Sequence, residues 1–527
     1  MDGKRLKRSV ISLMQKKELT DKSTLTKFEL AFLIVAATVT ITVVSTCSPL
    51  YPFNPWDDAN CFFTLGRGII HGMVPYRDLY EQKGPVLYFI YAFAALINDK
   101  SFIGAWIVEC ITASVFAVYS WKIAKLFSEP SRFCLVVTPL FLGLTYSTGL
   151  FNFGGNAEEL CFPFLTVILY IGLRAIVNSD ALPTNKDAVI CGLITAALFW
   201  VKYTFMGFIA GFCLYILVMS IRRKAFARLW SLIWRFIAGF IILSIPVLIY
   251  FIANNALNSL WEAYFYNNIF LYQNTKASGI LAIPVVKNIY IPLYCLFALS
   301  WSHKLFGFMM LASVISMFFT GKKHLKKVLF LFAITFVISV GVVFSKNTFI
   351  YYYLYIHAYF LSFVLIPLIK GINLLTVKFK QNSSFIKVIT AAFVIVCYAV
   401  TLLLNKNLYL LAQPKEYLAQ YRYAQVINST PNAKILTYDI MDAGFFTAAG
   451  VLPSNRFYCY LNIEQTYPAI LEEQNRLISE GYYDYIITYT DREYNWNNYK
   501  LILEESDDYV DYNSKKVKFS YRLYKKI

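Results

Sequence analysis

The chain has 527 residues, 58% of them hydrophobic and 18% aromatic, with a mean hydropathy of +0.52 and a net charge of +18. A water-soluble domain of this length is not so apolar, and the hydrophobic residues fall in runs of about twenty, the length that crosses a roughly 30 Å hydrocarbon core. The positive charge does not indicate nucleic acid, because it gathers between the apolar runs in the positive-inside pattern of cytoplasmic loops: Lys4-Arg5, Lys7-Arg8 and Lys16-Lys17, Arg222-Arg223-Lys224, Lys322-Lys323 with Lys326-Lys327, and Lys378, Lys380 and Lys387.

Taken in chain order, the basic segment 1–27 is expected in the cytoplasm. The apolar run 28–48 is longer than a signal-peptide core and lacks a small-x-small cleavage site, so it reads as an uncleaved anchor. Further spans are expected at 102–125, 133–150, 159–178, 188–201, 203–220, 230–253, 293–319, 328–344, 351–369 and 386–404, eleven in all. Lys202 breaks the 188–220 region, which is either two short helices or one long tilted one. Segment 85–98 is apolar but short, and suits a re-entrant or interfacial helix. Loops 49–101, 151–158, 254–292 and 345–350 then lie outside, and the strongly basic loops share the other side.

From about 405 the composition turns polar, with no further span, and eleven crossings place this part outside the membrane. Helices are expected at Glu416 to Asn428 and Glu464 to Glu480, and strands at Lys434 to Tyr438 and Tyr485 to Tyr489. This alternation indicates a small extracytoplasmic α/β domain, 405–527. The acidic run Glu504 to Asp508 reads as a solvated turn. Of ten cysteines, most lie in apolar runs; Cys61 and Cys459 would both be external and able to pair.

The residues able to carry chemistry cluster in the external loops. Asp57 and Asp58 follow the proline-bounded segment Tyr51 to Trp56. Either is a candidate general base for an attacking hydroxyl, and either suits a helix N-cap before Ala59 to Ile70. Arg67, Arg77 and Lys83 are cations able to bind a donor phosphate, or ordinary anionic head groups. Glu158 and Glu159 open a membrane span, where acidic residues either cap a helix or take part in a site. Lys202 either snorkels or meets a phosphate. His357 ends a Tyr-rich stretch and is structural or functional. Trp261, Tyr264, Tyr266 and Tyr272 form an interfacial aromatic belt or a sugar-stacking surface. No Gly-rich phosphate loop follows a strand, so nucleotide use is not indicated. No His-rich metal spacing appears; carboxylates are able to hold a divalent cation with phosphate, but nothing in the sequence requires one.

In Trp56-Asp57-Asp58, Gly72 to Tyr80 with Pro75-Tyr76-Arg77-Asp78, Lys83-Gly84-Pro85, Asn156 to Glu159, Lys202 and His357-Ala358-Tyr359, the chain resembles the GT-C glycosyltransferases. The resemblance covers about residues 28–370 and is to the bacterial branch related to protein O-mannosyltransferases and the lipid A aminoarabinose transferase. It implies a polytopic helical catalytic domain over 28–404, in the bacterial plasma membrane. It implies that a sugar passes with inversion from a polyprenyl-phosphate donor to an envelope glycopolymer, glycolipid or protein on the external face. Asp57 takes the place of the family's catalytic aspartate, with Asp58 where the family often has Glu. Lys83 matches a lysine that contacts donor phosphate, with Arg77, Arg67 and Lys202 as further phosphate ligands. Tyr76, Asp78, Glu158, Glu159 and His357 are expected near substrate. The alternatives are a lipid-linked sugar flippase and an envelope polysaccharide polymerase or ligase. A flippase predicts charges lining a path through the bilayer, whereas these gather at one external face.

Overall fold

The computed structural model describes residues 23–178, 182–272, 284–345, 350–378, 383–510 and 516–527. The basic clusters before residue 22 lie outside the described residues. Among the described residues, Lys27–Val44, Ile103–Phe127, Ala157–Val177, Tyr203–Arg222, Phe226–Ala253, Lys322–Val343 and Tyr351–Leu375 are long and apolar enough to cross a membrane. The expected span 293–319 is instead a broken pair, Asn288–Ser302 and Lys304–Thr320, bent by 114°. The break falls at His303, which leaves helical geometry at φ −104° and ψ 63°. Helices Arg132–Tyr146, Asn185–Phe199 and Val388–Leu404 stand at the remaining expected spans and are shorter. Pro85–Ile97 is a thirteen-residue helix, as its length suggested.

Local chemistry sets the helix ends. Thr26 caps the first helix and Glu29 returns the bond, a reciprocal box. Glu29 also pairs with Lys125 at 3.1 Å, joining the first helix to Ile103–Phe127. Among the described residues, two long stretches depart from α geometry: Trp261–Leu271 is a π-helix and Tyr351–Val364 a 3₁₀-helix. Such geometry is rarely sustained, and it often marks functional positions.

The last quarter carries a four-stranded sheet in the order β1-β2-β4-β3. β1 (Ile435–Thr437) pairs parallel with β2 (Tyr485–Tyr489), and β4 (Lys516–Lys526) runs antiparallel to both β2 and β3 (Tyr499–Val510). The two strands expected from the sequence are present, and the expected helices shorten to Ala419–Ile427 and Ala469–Ser479. The acidic run Glu504 to Asp508, expected as a turn, lies inside β3. There Glu504 faces Arg522 and Asp508 faces Lys518 across the ladder; opposite charges in register support a strand.

This domain is bolted to the segment expected as the first external loop. Arg67 donates to the carbonyls of Phe446 and Val451, each at 3.1 Å. Thr64 donates to Asp442. Arg456 donates to the Tyr76 carbonyl at 2.7 Å and pairs with Glu262 at 2.9 Å. Cys61 and Cys459 are both buried, and no disulfide joins them in this structure.

Candidate functional site

The helix Asp57–Ile70 begins with two carboxylates in its first turn, where the helix dipole favours negative charge. Neither is the N-cap, as one reading of the sequence had it. That position belongs to Trp56, whose N–H is taken by the Asn54 side chain at 2.8 Å. Asp58 lines a cleft, and Asp57 does not. Tyr352 donates to Asp58 at 3.1 Å from the 3₁₀-helix.

Lys83 and Lys202 reach the same cleft from different parts of the chain. Their segments are stitched together. Gly84 N–H donates to the Val201 carbonyl at 2.9 Å and Val86 N–H to the Trp200 carbonyl at 3.0 Å. A Cβ at residue 84 would lie 2.0 Å from the Trp200 oxygen, so only glycine allows this approach. The expected ambiguity over 188–220 resolves into two helices, Asn185–Phe199 and Met206–Arg222, and Lys202 sits extended in the gap between them.

Lys202 does not snorkel. It is buried, pairs with Glu158, and lies 3.6 Å from the centroid of the Tyr353 ring. Lys83 faces Glu81 at a loose 3.5 Å. Burial works against the Lys83 charge, but the carboxylates of Asp58 and Glu81 outweigh it and raise its pKa well above the usual range, so it stays a cation. Glu81 is held by the Lys83 N–H at 2.7 Å and by the Tyr88 hydroxyl. Outside the cleft, burial and then the charges of Asp58 and Asp442 push Asp57 up to about 8.

The rest of the lining was only partly foreseen. Tyr264, Asn268 and Tyr272 come from the π-helix and its end, and Met441, Leu461 and Asn462 from the C-terminal domain. Of the aromatics in 254–292, Tyr264 and Tyr272 line the cleft, while Trp261 and Tyr266 stay exposed like a belt. Glu81, Tyr352 and Tyr353 escaped sequence reasoning. Their signal was present in the stretches Glu81-Gln82-Lys83 and Tyr351-Tyr352-Tyr353, polar and aromatic residues beside membrane ends.

Several expected site residues lie elsewhere. Arg67 is turned to the C-terminal domain as described above, because two carbonyls and nearby Asp442 satisfy its buried charge. Arg77 and Asp78 pair with each other at 2.8 Å at the surface, and Arg77 also caps the Asn254 carbonyl. Tyr76 is buried with φ +68° and donates to the Lys83 carbonyl at 2.6 Å, supporting the loop from behind. Glu159 shares the Gly155 N–H with Glu109, at 2.7 and 2.8 Å. His357 is buried against Phe336 and Phe344, with Nδ1 3.3 Å from the Leu354 carbonyl. Among the described residues, no three His, Cys, Asp or Glu side chains gather as a metal site.

Comparison with known proteins gives a fold. No family model matches the chain, and no curated protein does. Among solved structures, ArnT from Cupriavidus metallidurans in the apo state matches with a TM-score of 0.55 at 12% identity, and the same protein bound to undecaprenyl phosphate matches with 0.51 at 11%. Each alignment covers 94% of this chain and 97% of ArnT. The chain has an ArnT-like fold, with a small C-terminal sheet region.

Proposed function

We propose that this protein transfers a sugar from a polyprenyl-phosphate carrier to an acceptor of the bacterial cell envelope, on the external face of the plasma membrane. In this topology the N-terminus is cytoplasmic and the C-terminal domain extracytoplasmic, which sets the cleft at the outer surface. The observation that carries the reading is the meeting of Lys83, Lys202 and Asp58 in one cleft within an ArnT-like fold. The phosphate-bound solved structure supports a polyprenyl-phosphate carrier as the donor's lipid.

The chemistry follows from the arrangement. A carboxylate takes the proton of the acceptor hydroxyl as its oxygen attacks the anomeric carbon. The bond from that carbon to the phosphate oxygen breaks on the opposite side, which inverts the configuration. The departing phosphate keeps the electron pair, and two fixed cations stabilise the charge it gains. Lys83 suits this role best, because its 3.5 Å contact with Glu81 leaves much of its ammonium unspent. Lys202, shielded by Glu158 and Tyr353, adds a second positive centre. The resemblance gave the base role to Asp57. We assign it instead to Asp58, because Asp58 lines the cleft and accepts a hydrogen bond from Tyr352.

The test is sugar analysis of envelope polymers and lipids in a deletion strain complemented with wild type, Asp57→Asn or Asp58→Asn at equal membrane abundance. Loss of one sugar in the deletion, restored by wild type but not by Asp58→Asn, supports the reading. Full restoration by both variants removes the carboxylate base and favours a transport role. Product length separates single-sugar transfer from polymerisation.

A further inference from the structure

The cleft holds two buried polar groups that no partner satisfies. Gln82 is 6% exposed and Thr204 8%, and both line the cavity. Gln82 Nε2 and Thr204 Oγ1 have no hydrogen-bond partner among the described residues. A buried donor left unpaired is costly, and native proteins rarely keep one without a use. The backbone that carries each group is fixed. The Gln82 backbone carbonyl is held by Asn268 Nδ2 at 2.7 Å. Thr204 sits in the tight turn Tyr203–Phe205 directly after Lys202. Each therefore stands beside one of the two lysines, Gln82 next to Lys83 and Thr204 two residues past Lys202.

The carboxylates around them each have a task. Glu81 bonds Lys83 and Tyr88, and Glu158 bonds Lys202, while Asp58, held by Tyr352, keeps its open side for the acceptor hydroxyl. Apart from the lysines, which face the phosphate, the two groups left without a partner among the described residues are neutral: one amide N–H and one hydroxyl.

We propose that Gln82 and Thr204 form the subsite for the transferred sugar, and that this sugar is uncharged, read through its hydroxyl oxygens. The inference rests on the proposed donor, since the phosphate at the lysines is what brings the sugar beside these two groups. A site built to hydrogen-bond a substrate hydroxyl discriminates strongly against analogues that leave its polar groups unpaired.

The experiment compares binding of undecaprenyl phosphate with binding of its mannosyl, glucosyl, galactosyl and N-acetylglucosaminyl phosphodiesters, and of the 4-amino-4-deoxyarabinosyl one. Purified full-length protein is used, as wild type, Gln82→Met, Thr204→Val and Lys83→Ala. The first two substitutions keep side-chain volume and remove only the polar atoms. At least one uncharged glycosyl donor is expected to bind wild type about tenfold tighter than undecaprenyl phosphate, and Gln82→Met and Thr204→Val each to erase most of that gain while undecaprenyl phosphate binds them unchanged. An undiminished gain in both variants overturns the subsite. So does tightest binding of the amino sugar donor, or no gain from any uncharged sugar. If undecaprenyl phosphate fails to bind wild type, or Lys83→Ala does not weaken it, the donor reading itself falls.

Discussion

Two acidic doublets open helices in this chain, Asp57-Asp58 and Glu158-Glu159, and they divide in the same way. In the first, Asp58 faces the cleft and its neighbour Asp57 lies outside it, near Asp442. In the second, Glu158 serves the cleft through Lys202, while Glu159 ties down the Gly155 N–H beside Glu109. Successive helical residues point about 100° apart, so a doublet cannot present both carboxylates to one place. One member is offered to the site and the other is turned away from it, and in the second doublet that other member holds the scaffold. The difference lies in depth. Asp58 keeps a hydroxyl partner and an open side, whereas Glu158 is buried against a cation.

The sharpest way to break this comparison is to neutralise the cleft-facing aspartate. Asp58→Asn should lower transfer by roughly 10²- to 10⁴-fold, the usual worth of a general base, with Asp57→Asn costing far less in the same membrane assay. The opposite order would return the base role to Asp57. The second doublet should show itself in stability. Glu158→Gln leaves a buried lysine without its partner, a loss of about 3–5 kcal/mol in thermal unfolding in detergent. The double variant Glu158→Gln with Lys202→Met should recover most of that stability yet remain inactive. Folding as poor as the single variant would show that the ion pair is not what Glu158 supplies. Tyr352→Phe removes one hydrogen bond to a charged group and should slow transfer by about tenfold; an unchanged rate would mean Tyr352 does not orient Asp58.

A further effect is expected at Asp57 and concerns pH. Its folded pKa stands at about 8 against an ordinary value of 3.8. Between those values the folded protein holds a proton that the unfolded chain releases. Its contribution to stability is therefore present at low pH and is lost as pH rises through about 8. Asp57→Asn should flatten that part of the curve, measured as melting temperature against pH from 5 to 9. A slope equal to wild type would place the titration on another group.

Much of the fold was legible because apolar length is a direct physical signal: every expected span meets a helix, short or bent as some are. The doublets, Lys83 and Lys202 were legible too, since charge beside hydrocarbon is costly and stands out. Direction was not. Arg67 and Lys83 look alike in sequence, but one faces the carbonyls of Phe446 and Val451 and the other the cleft. Helical phase and a domain some 380 residues downstream decide between them. Arg77 and Asp78 are adjacent opposite charges, and they spend themselves on each other. His357 lies buried among aromatics and does not line the cleft. Glu81 and Tyr352 were hidden for the opposite reason: each sits among residues that read as ordinary interface chemistry until folding sets them against Lys83 and Asp58.

The C-terminal wall of the cleft carries a consequence for biosynthesis. Asp58 and Lys83 leave the ribosome early, whereas Met441, Leu461 and Asn462 emerge about 380 residues later. At ribosomal speeds of about 5–20 residues per second, that delay is roughly 20 to 80 s. Until the last domain docks on Arg67 and Tyr76, the nascent protein has its lysines and its carboxylate in place but a cleft open on one side. Assembly order thus acts as a timer, and competence to enclose a substrate arrives only after residues 441–462 have been made.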